Sequence, residues 1–472
     1  MIRIDQLPDD VLLEVFHFYV DMSPWYGDMH GKPKVEAWQS LAHVCRRWRS
    51  VVFGSPRRLD LKLYCTPETP AKDRLDVWPA LPLIIEGNTV LSSSNIIAAL
   101  EQNDRVFHIH LRLTGRELLE QVLAPMQVPF PELTDLLLFS ESKPSNDEAP
   151  PVIPDSFLGG SAPRLRVIYL YGIPFPGLPK LLLSATHLTQ LNLNHIPHSG
   201  YISPQAIVTP LSMLSSLRKL FLLFQSPQSR PDRESQTLPP PKRFILPALH
   251  TFYFKGATEY LEELMTRIDT PQLEQIYITF FNQIDFDCPR LAQFINRTPT
   301  LIAPDEAHMR FHDGITGAVL RSQKTKFYPG EIVIYISCGE PDWQLSSIEQ
   351  VCNSSLHPLP TVEDLYIEHR YSKLVWKDDA IENTIWLQLL LPFTSVKNLY
   401  LSKEFAPGIA DALKALVGGR ITDVLPNLQN ILVKGLKLSG FFQEDIEQFV
   451  AARQLSDHPI AISDWNEDAN RG

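Results

Sequence analysis

Cysteine is scarce in this chain: five in 472 residues, at Cys45, Cys65, Cys288, Cys338 and Cys352, with no C-x-x-C pair among them. Such scatter excludes a disulfide framework and a cysteine metal cluster, and an intracellular compartment, cytoplasmic or nuclear, is expected. Positive charge is also lacking. The formal charge is −11, which offers no attraction to phosphate backbones or anionic bilayers, so neither nucleic acid nor a membrane is an expected partner. No apolar run approaches the length of a membrane span, and Met1-Ile2-Arg3-Ile4-Asp5 has no signal-peptide core. Catalytic signatures are missing too: there is no G-x-S-x-G elbow, no glycine-rich phosphate loop with its lysine, and no H-E-x-x-H helix. No enzyme chemistry, cofactor or metal is therefore expected.

What is present is ample apolar material, 44% of residues against 21% charged, in a chain longer than one usual compact domain. More than one unit or a repeat array is expected. Proline stands out, with 40 residues against 21 glycines.

The first 55 residues carry two amphipathic patterns. Leu7-Pro8-Asp9-Asp10 starts a helix, because proline needs no partner there for an N–H and the aspartates suit the positive dipole end. Val11, Leu12, Val15, Phe16, Tyr19 and Val20 then recur along one side. In the second pattern Leu41, Val44, Cys45, Trp48, Val51 and Val52 share a face, with Arg46, Arg47 and Arg49 outside it, suited to a helix C-terminus.

The Leu7-Pro8 start, with Val11-Leu12, Val15-Phe16 and then Leu41-x-x-Val44-Cys45-Arg46-x-Trp48-Arg49, resembles the F-box, a helical module that docks the Skp-family adaptor of cullin-RING ubiquitin ligases. Two departures are visible: a long connection over 21–35 with Trp25 and Tyr26, and Phe53-Gly54-Ser55 where the family often has Leu-Trp. The resemblance implies adaptor docking, or its immediate support, by Leu7, Pro8, Leu12, Phe16 and Trp48. With the continuation Leu59-x-Leu61-x-Leu63 and Val77-Trp78-Pro79, the chain is similar to fungal F-box proteins with irregular repeat bodies. Helix pattern alone also fits an ordinary packed hairpin.

The body repeats one phrase. An apolar residue, two others, then two alternating apolar residues begin at Leu133, Leu165, Leu188, Leu217, Leu249, Leu273, Val362, Val396 and Leu428. Strands are also expected at Leu59–Leu63, Leu83–Ile85, Val106–Leu113 and Ile460–Ile462. Proline stands two places ahead of six phrases (Pro131, Pro163, Pro247, Pro271, Pro360, Pro426), where it blocks helix and starts an extended segment. Starts lie 23 to 34 residues apart, except for one long interval after Leu273. That interval has room for about two strands, one at Ile332-x-Ile334-x-Ile336 and one near Met309 and Phe311. Helical pieces alternate with the strands, at 95–102, 260–268, 290–295, 381–390, 409–417 and 445–452.

This period is the signature of a leucine-rich-repeat solenoid, whose units cannot cover their own apolar faces and stack into a curved parallel sheet. None of the phrases has the consensus Asn or Cys at its next ladder position, so an irregular curve is expected. The fold class is α/β: a helical domain at 1–55, an irregular repeat body at 56–463, and an acidic tail at 464–472. Unrelated strands of another α/β domain are the alternative. Stretches 140–154 and 225–242 lack apolar periodicity and are expected to be loops.

The remaining candidates are sparse. His308 and His312 would share a metal only on a helix, and His108 and His110 lie on one side of a strand; ordinary surface or core roles account for all four. The carboxylates Asp378-Asp379 and Asp285/Asp287 fit solvated loops. The x positions inside the phrases point away from the core and hold Tyr169, Asn192, Phe221, Tyr253, Tyr277, Tyr366 and Tyr400. This aromatic line is either a surface for a target protein or a ladder of rings packed on one another. The resemblance makes the chain the substrate receptor of an SCF-type ubiquitin ligase, bound through the adaptor to a cullin; a non-catalytic scaffold outside any ligase is the alternative.

Overall fold

The computed structural model describes residues 7–21, 37–56, 58–68, 71–89, 93–140, 151–231, 243–281, 288–301, 303–322, 330–338, 341–354, 359–369, 383–417, 420–435 and 440–465. The connection 22–36, residues 141–150 and 232–242 of the two expected loops, both aspartate pairs, and 466–472 of the tail lie outside these. The chain divides into two compact units, Met1–Tyr201 and Ile202–Gly472.

The first unit opens with three helices, α1 (Asp9–Asp21), α2 (Ala37–Val44) and α3 (Arg46–Gly54). The second amphipathic pattern is thus broken in two. Cys45 is extended (φ −160°, ψ 170°), and its Sγ accepts from the Trp48 N–H at 3.4 Å, capping α3. The arginines expected at a helix C-terminus instead open α3, and only Arg49 reaches back to the end of α2, donating to the Ala42 carbonyl at 3.0 Å.

Strands and helices then alternate through β1 (Leu63–Cys65), α4 (Ala71–Val77), β2 (Leu83–Thr89), α5 (Ser94–Leu100), β3 (Val106–Leu113), α6 (Arg116–Leu123), β4 (Asp135–Ser140), β5 (Val167–Tyr171), α7 (Leu178–Leu182) and β6 (Gln190–Ile196). Each strand pairs with the next in parallel. The expected strand at Leu59–Leu63 begins only at Leu63; Leu59 and Leu61 are buried in the approach to it. The border expected after residue 55 is bridged. Trp38 of α2 donates from Nε1 to the Lys62 carbonyl at 3.0 Å, and its ring meets Trp78 at 5.1 Å and Phe53 at 5.9 Å.

The second unit holds α8 (Pro204–Leu211), β7 (Lys219–Phe224), β8 (Phe244–Ile245), β9 (Thr251–Gly256), α9 (Thr258–Arg267), β10 (Ile268–Asp269), β11 (Gln275–Phe281), α10 (Pro289–Asn296), β12 (Glu306–His312), β13 (Ile315–Arg321) and β14 (Glu331–Ser337). It continues with α11 (Pro341–Asn353), β15 (Asp364–His369), α12 (Asn383–Leu390), β16 (Asn398–Leu401), α13 (Ala406–Lys414), β17 (Asn430–Val433), α14 (Gly440–Leu455) and β18 (Ala461–Asp464). Its main sheet runs β7-β9-β11-β14-β13-β12-β15-β16-β17-β18, and β8 pairs with β10 in a separate ribbon.

The nine phrases coincide with β4, β5, β6, β7, β9, β11, β15, β16 and β17. Every second residue in them, such as Leu136 and Leu138 or Ile276 and Ile278, is almost fully buried. Burying each such side chain contributes about 1.5–3 kcal/mol. Helices such as α5 and α9 pack on this apolar side.

The prolines act through a turn rather than simply by opening an extended segment. In each of the six phrases the first apolar residue donates its N–H to the carbonyl three places back, at 3.1–3.4 Å: Leu133 to Phe130, Leu165 to Ala162, Leu249 to Leu246, Leu273 to Thr270, Val362 to Leu359 and Leu428 to Leu425. Proline is therefore the second residue of a β-turn, where its fixed φ is favoured. The turn brings two buried residues together at the foot of every strand.

The expectation of a purely parallel sheet fails. The long interval carries three strands, and the third, β13, runs antiparallel to both β12 and β14. Asp313-Gly314, with Gly314 at φ +74°, closes the β12–β13 hairpin in two residues. The sheet is thus not parallel throughout.

Candidate functional site

Two surfaces contain the residues singled out from the sequence. The first is α1. The Leu12 N–H bonds the Pro8 carbonyl at 3.0 Å, so Pro8 stands immediately before the first helical turn. Arg47 of α3 secures this end, donating to the Leu7 carbonyl and to Asp9 Oδ1, the latter at 2.7 Å from Nη2.

The single apolar face expected for α1 is in fact two adjoining stripes. Leu12, Leu13 and Phe16 point inward at 0%, 8% and 0% exposure, while Val11, Val15, Phe18 and Tyr19 remain 40%, 46%, 67% and 49% exposed. At about 100° per residue the outward four fall within roughly a quarter of the helix circumference. Val44, which ends α2, is also exposed.

The five residues that the resemblance assigns to adaptor docking therefore separate. Leu12 and Phe16 are core, Trp48 is half-buried with its ring 4.7 Å from that of Phe16, Leu7 is half-buried and Pro8 is exposed. Sequence reasoning passed over Phe18. The i, i+4, i+7, i+8 recurrence of 11, 15, 18 and 19 is the signal that marks the second stripe.

The second surface is the strand face opposite the helices. In-register parallel pairing places like positions side by side, and the aromatics there stack. Phe221 lies 4.4 Å from Tyr253 and Tyr253 lies 4.2 Å from Tyr277, with ring planes within 5°. His308, Tyr366 and Tyr400 form a second column at 4.3 and 4.1 Å. Tyr169 stacks on Phe139 at 4.6 Å, and Asn192 beside it is buried. The rings are thus a ladder whose free edges stay half-exposed, apart from the buried His308 and Tyr400.

Burial, and then a hydrogen bond to Glu331, hold the Tyr277 phenol far above its ordinary range; burial and Tyr400 do the same for Tyr366. Neither phenol ionises near neutral pH.

Around His308 lies a buried polar knot. His308 meets Glu306 through Nε2 and approaches Glu368 through Nδ1 at 3.5 Å, while Arg310 stands 3.5 Å from the other Glu368 oxygen. Burial alone would lower the His308 pKa, but the bond to Glu306 and the charges of Glu306 and Glu368 outweigh it and hold it above the ordinary value. Asp364 is pushed up by burial and by its carboxylate neighbours, against a 2.6 Å bond from Asn398, which itself accepts from Asn430 at 2.7 Å.

His308 and His312 occupy a strand, not a helix. Four residues along β12 separate them by about 13 Å, too far to share one ion. His108 and His110 lie on β3 as expected. Together with Glu86 of β2 their ligand atoms all fall within 4.8 Å of one another, the one such trio among the described residues.

No family model matches the sequence, and no curated protein matches it. Among solved structures, the chain is similar to the leucine-rich repeat-containing protein LegL7 from Legionella pneumophila at 11% identity, over 82% of this chain and 97% of that one, with a TM-score of 0.26. A likeness that low carries no argument, and the reading of the repeats rests on their own registers. Among the described residues no helix is long and apolar enough to cross a membrane.

Proposed function

We propose that this protein is a non-catalytic substrate receptor of an SCF-type cullin-RING ubiquitin ligase. Its first three helices dock a Skp-family adaptor, and its leucine-rich-repeat-like body holds a target protein. The observation that carries this reading is the exposed stripe Val11, Val15, Phe18 and Tyr19 on α1, large apolar side chains in a row without a described cover. The F-box-like spacing of Leu7-Pro8 and Val44-Cys45-Arg46-x-Trp48-Arg49 names the partner. Leu12 and Phe16 serve docking indirectly, by holding α1 against its neighbours. The receptor's contribution is proximity, raising the local concentration of a target lysine beside the charged ubiquitin-conjugating enzyme.

The test is binding of full-length protein to purified adaptor, alone and with cullin. Val15→Asp combined with Phe18→Asp is expected to weaken adaptor binding by at least about 30-fold, as for loss of central apolar anchors, with stability changed by no more than about 0.5 kcal/mol per site. Wild-type affinity in this variant removes the docking assignment. Adaptor binding without recruitment of cullin supports the scaffold outside a ligase.

A further inference from the structure

We infer that Glu86, His108 and His110 form a zinc-binding site on the strand face of the first unit, independent of the adaptor surface. His108 and His110 are two apart on β3, which puts both imidazoles on one side of the sheet, away from the buried Ile109 and Leu111. Glu86 is the register partner of His110 on β2 and brings a carboxylate to the same side. Two imidazoles and a carboxylate are a donor set suited to Zn(II).

The distances fit. Ligand atoms about 2.1 Å from a tetrahedral ion lie about 3.4 Å apart, so a trio already within 4.8 Å closes with side-chain shifts of about an ångström. Both rings are partly buried, and that burial lowers their pKa values from the ordinary one.

The surroundings fit as well. Asp135 on β4 is the register partner of His108 and the strongest carboxylate influence on it, placed to take the N–H of a metal-bound ring. The Thr134 hydroxyl bonds Asp135 at 2.5 Å and holds that carboxylate. The Phe139 ring, 5.6 Å from His110, carries Arg112 over it at 5.2 Å. Three protein ligands leave a fourth position for water, exchangeable for a carboxylate of a bound protein.

Full-length protein, stripped with a chelator and titrated with Zn(II) against a chromogenic competitor, is expected to take up one equivalent. Co(II) in its place is expected to give the visible bands of a four- or five-coordinate site. His108→Ala and His110→Gln should each weaken zinc binding by more than about 100-fold, beyond what losing a supporting partner costs, and Asp135→Asn by about 10–100-fold. Glu86→Gln keeps the shape and should still weaken binding and shift the Co(II) bands. Cys45→Ser and His308→Gln should bind as wild type. Absence of stoichiometric uptake, wild-type affinity in the His108 and His110 variants, or loss of binding in Cys45→Ser overturns the proposal.

Discussion

His108 in the first unit and His308 in the second stand at comparable places, each partly or fully buried on the strand face away from the helices. Their proton affinities move in opposite directions. Burial dominates at His108 and lowers its pKa, whereas Glu306 and Glu368, set against the two nitrogens of His308, raise that of His308 in spite of burial. Each histidine has two carboxylates acting on it, so desolvation and their number do not decide the direction; the direct bonds from Glu306 and Glu368 to His308 do, where Asp135 and Glu86 act on His108 through charge alone. One face therefore keeps free imidazole donors, and the other spends its histidine in an internal charge network.

The sharpest way to break this contrast is Glu368→Ala. It leaves His308 and Arg310 buried without their shared counter-charge and is expected to cost about 3–5 kcal/mol in urea unfolding; Asp135→Ala, at a half-exposed carboxylate, should cost no more than about 1 kcal/mol. Equal costs would show that the two faces do not differ in this way.

The aromatic columns offer the next test. Tyr253 has stacked neighbours on both sides and Tyr169 one close partner, each pair worth about 0.5–1.5 kcal/mol beyond area. Tyr253→Leu should therefore lose about 1–3 kcal/mol and Tyr169→Leu about half of that, read from urea midpoints. The mildest effect is on pH dependence. Because the folded pKa of His308 is raised, native protein holds the extra proton above pH 6.5; its stabilisation is complete below that value and fades as pH rises through the folded value. His308→Gln should flatten that decline, with Glu306, Glu368, Asp305, Asp364 and Arg310 left in place. An unchanged slope would mean that His308 is neutral in the fold.

Much of this architecture was legible in the sequence because it is local. The phrase beginning at Leu133 or Leu428 encodes a turn, a buried foot and an alternating strand within a few residues, and each strand formed where the phrase stood. Features set by neighbours were not legible. The two stripes of α1 share one apolar period, and only packing of α2 and α3 decides that Phe16 goes in while Phe18 stays out. The break at Cys45 sits inside a continuous helical pattern. The histidine trio needs Glu86, whose closeness comes from a register between β2 and β3 that no local window contains. The third strand of the long interval did have a signal, Asp313-Gly314 between alternating segments, hidden by the expectation of purely parallel pairing.

The reversed hairpin has a bearing on how this protein can be cut and rebuilt. Elsewhere within each unit, a strand of the main sheet lies beside the strands encoded just before and after it, so excising one repeat and rejoining the ends leaves two surfaces that still match. Between β11 and β15 the order of placement is inverted: β14 takes the slot next to β11, and β12 the one next to β15. Neither slot can be filled by one of these strands alone, so β12, β13 and β14 enter the sheet as one indivisible block.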